Sequence, residues 1–171
     1  MNPHIPEGRR RHSAGNAMIE SALTLVPLFA LICGFVDISM MLFRWSTLQN
    51  AVREGCRYAI TFQTSGSLGQ DASIEQVVEQ YAMGIVTTSD SPQHIIVNYY
   101  SPANPNTPIT HGGNVPGNIV EVSVQNVSWP WLAPLSGTIP NPFYTSAPFT
   151  LNVYSSDILG GYPAGVNSVP R

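Results

Sequence analysis

The chain contains no lysine, and its seven basic residues are all arginines in a sequence of 171 residues. Only Arg171 lies beyond Arg57, so most of the sequence carries aspartate and glutamate almost without basic partners. Binding of nucleic acid needs a basic surface that displaces counterions, and this acidic stretch offers none. Schiff-base chemistry and a lysine-containing phosphate loop are excluded as well. We therefore expect no nucleic-acid partner.

Histidine and cysteine are also scarce, with four and two residues, respectively. His94 and His111 have no cysteine or carboxylate at metal-ligand spacing, so we expect both to be solvated. Cys33 and Cys56 fall on one predicted helix, where they would lie about 35 Å apart at about 1.5 Å per residue. That separation excludes a disulfide within the chain. The sequence predicts no catalytic residue, no metal and no cofactor, and hence a protein that is not an enzyme.

What the sequence does have is a long apolar run near its N-terminus. Residues 21–43 contain a single charge, Asp37, and about 20 apolar residues suffice to cross a bilayer. No small-x-small cleavage site follows the run, so we expect it to stay in the mature protein. Arg9, Arg10 and Arg11 precede it, and the positive-inside rule then places the N-terminus in the cytoplasm. The pattern predicts a single-pass protein of the cytoplasmic membrane with the lipid bilayer as a partner.

The helical period continues beyond the apolar run. Four apolar residues recur at every fourth position and form one stripe of an amphipathic helix: Leu48, Val52, Cys56 and Ile60. Ala51, Gly55 and Ala59 widen this stripe. Because no proline or turn cluster separates this segment from the apolar run, we predict one helix over residues 17–61, with Pro27 inside it.

The remaining residues predict a small α+β domain. Residues 73–86 have the period of a second helix, and residues 94–100, 118–127 and 148–154 have the composition or alternation of strands. The fold class is therefore α+β, with a long N-terminal transmembrane helix that continues into a small extracytoplasmic domain with a second helix and about three antiparallel strands. Residues 101–117, rich in proline and glycine, are predicted to be a loop.

A second predicted loop, residues 128–147, is unusually aromatic. Its candidate interface residues are Trp129, Trp131, Phe143 and Tyr144. Tryptophan and tyrosine commonly anchor protein interfaces, so the loop is a candidate contact surface for another subunit or an envelope component. Equally, it is a candidate lid that completes the core of the small domain.

Three segments carry a family resemblance. They are Gly15-Asn16-Ala17-Met18-Ile19-Glu20, Leu25-Val26-Pro27-Leu28, and the stretch from Leu48 to Ala59 that reads LQNAVREGCRYA. They resemble the TadE-like proteins, which are pseudopilins or minor pilins of tight-adherence, type IV-like pilus systems. Ser21 departs from the pattern, because many members of the family have an aromatic residue there. The resemblance is dense from Arg9 to Phe62 and loose afterwards.

The resemblance implies a processing site and a set of partners. A prepilin peptidase would cleave after Gly15 and make Asn16 the new N-terminus. The chain would then divide into a leader (1–15), a transmembrane helix (16–45), its extramembrane continuation (46–62) and an extracytoplasmic α+β domain (63–171). Its further partners would be other pilin or pseudopilin subunits and the pilus assembly platform in the membrane, and the mature protein could be extracellular in a pilus.

Two carboxylates are candidate assembly residues. If Glu20 meets the N-terminal amine of a neighbouring subunit, two poorly solvated charges compensate each other. The alternative is that Glu20 lies among lipid headgroups beside the arginines. Asp37 is either a contact to a neighbouring helix or an interfacial carboxylate that reaches for water.

A second function remains open. The helix could be an uncleaved signal anchor, and the chain a membrane-anchored extracytoplasmic binding module whose aromatic loop takes a ligand. The N-terminal residue of the mature protein separates this alternative from a processed pilin.

Overall fold

The computed structural model describes residues 11–129 and 149–171, with side chains from Gly15 onward. It contains two helices and four strands in the described residues: α1 (Arg11–Ile60), α2 (Gln70–Tyr81), β1 (Ile95–Ser101), β2 (Asn104–Pro108), β3 (Ile119–Trp129) and β4 (Phe149–Ile158). These residues form two units, one up to Met40 and one from Met41 onward. The predicted α+β class, with its long apolar N-terminal helix, is confirmed.

The first unit contains the apolar part of α1. Its large apolar side chains point outward, with Met18 78% and Leu23 75% exposed. The hydroxyls of Ser21 and Ser39 donate to the backbone carbonyl four residues earlier, at 2.8 Å in both cases. If this surface lay in lipid, such bonds would leave neither of the two hydroxyls without a partner. By length and composition, α1 could cross a membrane, since its most apolar 18-residue window has a mean hydropathy of 2.2.

Helix α1 begins earlier than predicted. We expected it to start near residue 17, but it starts at Arg11 and includes Gly15. Between Pro6 and Pro27 the sequence has no proline, and a single glycine costs a helix only about 1 kcal/mol relative to alanine. One glycine was therefore too weak a signal to mark the helix start.

The second unit contains an antiparallel sheet with the strand order β2-β1-β3-β4. Three of these strands were predicted, but β2 was not, because its segment was predicted to be a loop. Strand β2 has prolines at positions 105 and 108, is fully exposed, and pairs with β1 only around Tyr100 and Ser101. Proline is tolerated at the edge of a sheet, where its missing N–H faces solvent. The count of about three strands is therefore corrected to four.

Helix α2 lies a few residues earlier than the predicted range of 73–86. Its first residue, Gln70, is fully buried, and its side chain donates to the carbonyl of Ala59 at 3.0 Å. The amide of Asn114 donates in turn to Gln70 at 3.0 Å. The helix ends before Met83 and Gly84, which both have positive φ angles, of 54° and 78°. A buried amide at the start of α2, which the apolar period does not reveal, therefore fixes its position.

The core of the second unit is built on the predicted stripe of α1. Five apolar side chains of α1 are at most 2% exposed: Leu48, Ala51, Val52, Cys56 and Ala59. They share one cluster with Ile74 and Val78 of α2 and with the inward residues of the sheet, among them Val97, Val122 and Val153. The end of α1 therefore folds as part of the α+β domain.

Arg171 contributes to fixing the C-terminal segment to this core. The Nε of Arg171 lies 2.7 Å from a carboxylate oxygen of Asp71, and its Nη1 donates to the carbonyls of Ile109 and Thr110. The guanidinium carbon also lies 4.9 Å from the ring centre of Tyr99, whose hydroxyl donates to Asp71 at 2.8 Å. Burial and the neighbouring Asp71 raise the pKa of Tyr99 well above its ordinary value. The hydroxyl therefore remains a donor to Asp71.

The closest approach of α1 and α2 occurs at Gly55. A Cβ added there would lie 2.5 Å from Cγ2 of Val78, a fully buried and β-branched side chain. Branching at Cβ restricts the rotamers to which Val78 could move. The absence of a side chain at Gly55 is therefore what lets the two helices pack together.

We expect Gly55→Ala to lower the stability of the domain by about 1–3 kcal/mol, because overpacking forces Val78 or the helices to shift. Thermal unfolding of the full chain in detergent, followed by near-ultraviolet circular dichroism, measures the change. Gly34→Ala is the matched control, since a Cβ at this second glycine of α1 would meet nothing within 4 Å. Equal effects of the two substitutions would contradict the packing argument.

Candidate functional site

The proposed processing site lies in the first turns of α1. Gly15 and Asn16 are both exposed, and a Cβ at Gly15 would have no neighbour within 4 Å. The sequence had suggested that Gly15 precedes the helix, but the structure places the Gly15–Asn16 bond inside it. A peptidase that binds its substrate as an extended strand must therefore unwind the first turn. Glycine, the weakest helix former after proline, lowers the free energy of that step.

Glu20 lies one turn further along the same helix and is exposed. Its backbone carbonyl accepts a bond from the Thr24 hydroxyl at 3.2 Å, but among the described residues its carboxylate has no partner. Next to it, Ile19 is 70% exposed. A lone carboxylate on such an apolar surface is costly in hydrocarbon unless a cation or water reaches it. This setting is compatible with either interpretation of Glu20, the intersubunit pair or the headgroup contact.

Asp37 is in a different environment from Glu20. Its side chain is only 1% exposed and has an interaction partner. Its carboxylate therefore does not reach for water in this structure. Its 17-residue separation from Glu20 corresponds to about 25 Å along a helix. The structure therefore does not bring the two candidate assembly carboxylates together.

Of the four candidate interface residues, Trp129 is the one that the structure describes; Trp131, Phe143 and Tyr144 lie outside the described residues. Trp129 is the last residue of β3 and is 4% exposed. The guanidinium carbon of Arg44 lies 4.8 Å from the centre of its indole ring, a cation–π distance. The indole N–H is buried and has no hydrogen-bond partner in the described part of the chain. Trp129 is therefore buried, but it is not part of the hydrophobic core cluster, so the interface and the core interpretation of the aromatic segment both stay predictions.

Sequence reasoning missed the strand position of Trp129 because a bulge interrupts β3. Val120, Val122 and Val124 point inward at even positions, whereas after Asn126 the buried residues are Val127 and Trp129. The register with β4 shifts between Val124 and Val127, and Asn126 has a φ of 59°. A bulge adds one residue and reverses the alternation. Asn126 was the only residue in this stretch of sequence that indicated the bulge.

Cys56 is a packing residue. Its thiol is 2% exposed and lies 3.3 Å from the carbonyl of Ser155, and burial raises its pKa. A raised pKa leaves little thiolate, which is the reactive form. Within the described ranges, no group of three histidine, cysteine or acidic side chains could hold a metal ion.

The described chain is thus an α+β protein with one helix that could serve as a membrane anchor. Residues 15–57 match a family model described as TadE-like protein, which confirms the resemblance of the N-terminal segments. Over these residues the chain is similar to TadE-like proteins. No curated protein matches the chain, and no solved structure matches it.

The matched range explains which features of α1 belong together. It begins at the proposed processing residue Gly15 and contains Glu20, Asp37 and most of the buried stripe, from Leu48 to Cys56. Trp129 and the sheet lie outside it. The family segment therefore comprises both the apolar part of α1 and the part that packs into the domain.

Proposed function

We propose that the chain is a pseudopilin or minor pilin of a tight-adherence pilus, processed after Gly15 and assembled through α1. The observation that carries the proposal is the arrangement at the start of α1. An exposed glycine is followed, five residues on, by an exposed carboxylate on an apolar helix with no partner among the described residues. The TadE-like match begins at that same glycine.

In this proposal the chain is inserted with its N-terminus in the cytoplasm. Arg9, Arg10 and Arg11 remain inside, and the α+β domain lies outside the cytoplasmic membrane. The proposal keeps the divisions inferred from the sequence. They are a leader up to residue 15, a membrane helix over 16–45, its continuation over 46–62 and the domain over 63–171. A prepilin peptidase removes the leader, and other pilus subunits and the membrane platform receive the mature helix.

Glu20 sets the position of the subunit in the assembly. Cleavage after Gly15 creates an ammonium group on Asn16, and this group needs a counter-charge once it enters an apolar environment. The carboxylate of a neighbouring Glu20 supplies that charge. An ion pair in such surroundings fixes register, because a subunit shifted along the assembly leaves both charges uncompensated.

The first test is the N-terminus of the mature protein. We expect mass spectrometry of the membrane fraction, from cells that express the pilus system, to find a chain that begins at Asn16. Gly15→Leu should keep the leader, because its side chain fills the space beside the scissile bond. Gly34→Leu, a matched change on the same helix, should be cleaved normally. A wild-type chain that still begins at Met1 would instead favour an uncleaved anchor and a binding module.

The second test concerns Glu20. Removing one member of a desolvated ion pair costs about 3–5 kcal/mol, because the remaining charge is left alone. Glu20→Ala should therefore give a processed protein that stays in the membrane and is missing from the sheared pilus fraction. Glu54→Ala is the control, since Glu54 pairs with the exposed Arg57 on the same helix at 3.2 Å. Normal pilus yield from Glu20→Ala would show that the ion pair does not hold the subunit in place.

A further inference from the structure

An exposed apolar patch lies where α1 passes the end of α2. Its three large side chains are Phe43, Tyr81 and Met83, which are 58%, 43% and 75% exposed. They border a shallow groove whose remaining lining is polar but uncharged: Ser46, Thr47, Asn50 and Gln80. We call Phe43, Tyr81 and Met83 the Met83 patch. All of its residues belong to the second unit.

The backbone at Met83 is unfavourable for the residue it carries. Its φ of 54° is in the left-handed region, which glycine adopts more readily than methionine. The next residue, Gly84, has a φ of 78° and adopts this conformation without strain. Because Met83 follows the C-cap residue Ala82, the end of α2 explains the left-handed turn. Packing within the domain does not explain the outward-pointing apolar side chain, which is 75% exposed.

We propose that the Met83 patch lies in the interfacial layer of the bilayer that α1 crosses. This inference rests on the membrane insertion proposed above. Phe43 is the last residue of the apolar run 21–43 and belongs to the patch, so the patch is continuous with the proposed anchor. Trp45, which is 47% exposed, follows at the level where aromatic residues concentrate at membrane surfaces.

The chemistry of the groove favours lipid over a second copy of the chain. The headgroup and upper acyl layer accommodates aromatic and thioether side chains beside hydroxyl and amide groups, which is the composition of this groove. A standard protein interface uses about 20–30 residues on each side, whereas the patch offers three large side chains. Because the groove has no charged lining residue, the contact should not require anionic lipid.

A membrane contact at this position would fix the orientation of the domain relative to the membrane. Helix α1 alone leaves the domain free to turn about the helix axis. A second point of contact at Met83 would restrict that rotation.

The test uses the full chain in phosphatidylcholine nanodiscs loaded with one copy each. Cys33→Ala removes the accessible thiol, while Cys56 is 2% exposed and should stay unlabelled. An environment-sensitive fluorophore is then attached at Met83→Cys, with Phe29→Cys as the marker of the apolar run and Ala103→Cys as an exposed control in the β1–β2 turn. Quenching by aqueous iodide and by brominated lipid reports the position of each label.

We expect the label at position 83 to have blue-shifted emission, reduced iodide quenching and quenching by bromine placed high on the acyl chain. The label at 103 should behave as in water, and the label at 29 should be quenched by deep bromine. If the label at position 29 is quenched by deep bromine while the label at position 83 behaves like the one at position 103, the proposed membrane contact is wrong but the proposed anchor is supported. If 29 is also aqueous, the anchor itself fails. A second preparation has several copies in each disc. If the label at position 83 is protected from iodide only in that preparation, the contact is with a second copy of the chain and the inference is overturned.

Discussion

The close contact of α1 with α2 at Gly55 is the constraint on which the domain depends. It requires a residue without a side chain near the end of a long helix, beside a fully buried Val78. Through it, the stripe from Leu48 to Ala59 enters the same core as the sheet. The end of α1 is therefore part of the domain core, while its apolar beginning is a candidate membrane anchor.

This arrangement gives the polar groups of α1 distinct roles. Serine hydroxyls on the exposed apolar part bond to their own backbone, so they add little cost in lipid. Asp37 is buried. Glu20 is the carboxylate on this surface that the described residues leave without a partner, and such a group in hydrocarbon indicates function. The proposed pilus assembly and the proposed membrane contact at Met83 therefore use different parts of the chain.

Much of the fold could be predicted because apolar periodicity reports burial directly. The stripe from Leu48 to Ala59 and three of the strands followed from it. Strand β2 could not be predicted from this periodicity, because its prolines indicate a loop and its pairing depends on the neighbouring strand β1. The position of Trp129 was concealed by the bulge at Asn126, which reverses the alternation. Of the site, Gly15 and Glu20 were found by spacing and family resemblance, whereas the packing role of Gly55 needs the position of Val78.

The central claim is that the end of α1 is part of the domain core, and two truncated chains test it most directly. Residues 41–171 keep the buried stripe, and residues 61–171 remove it. We expect the longer chain to unfold in one cooperative thermal transition, monitored by near-ultraviolet circular dichroism, and the shorter chain to show no such transition. Cooperative unfolding of residues 61–171 at the same temperature as the longer chain would contradict the claim, because the sheet and α2 would then form a complete core without α1.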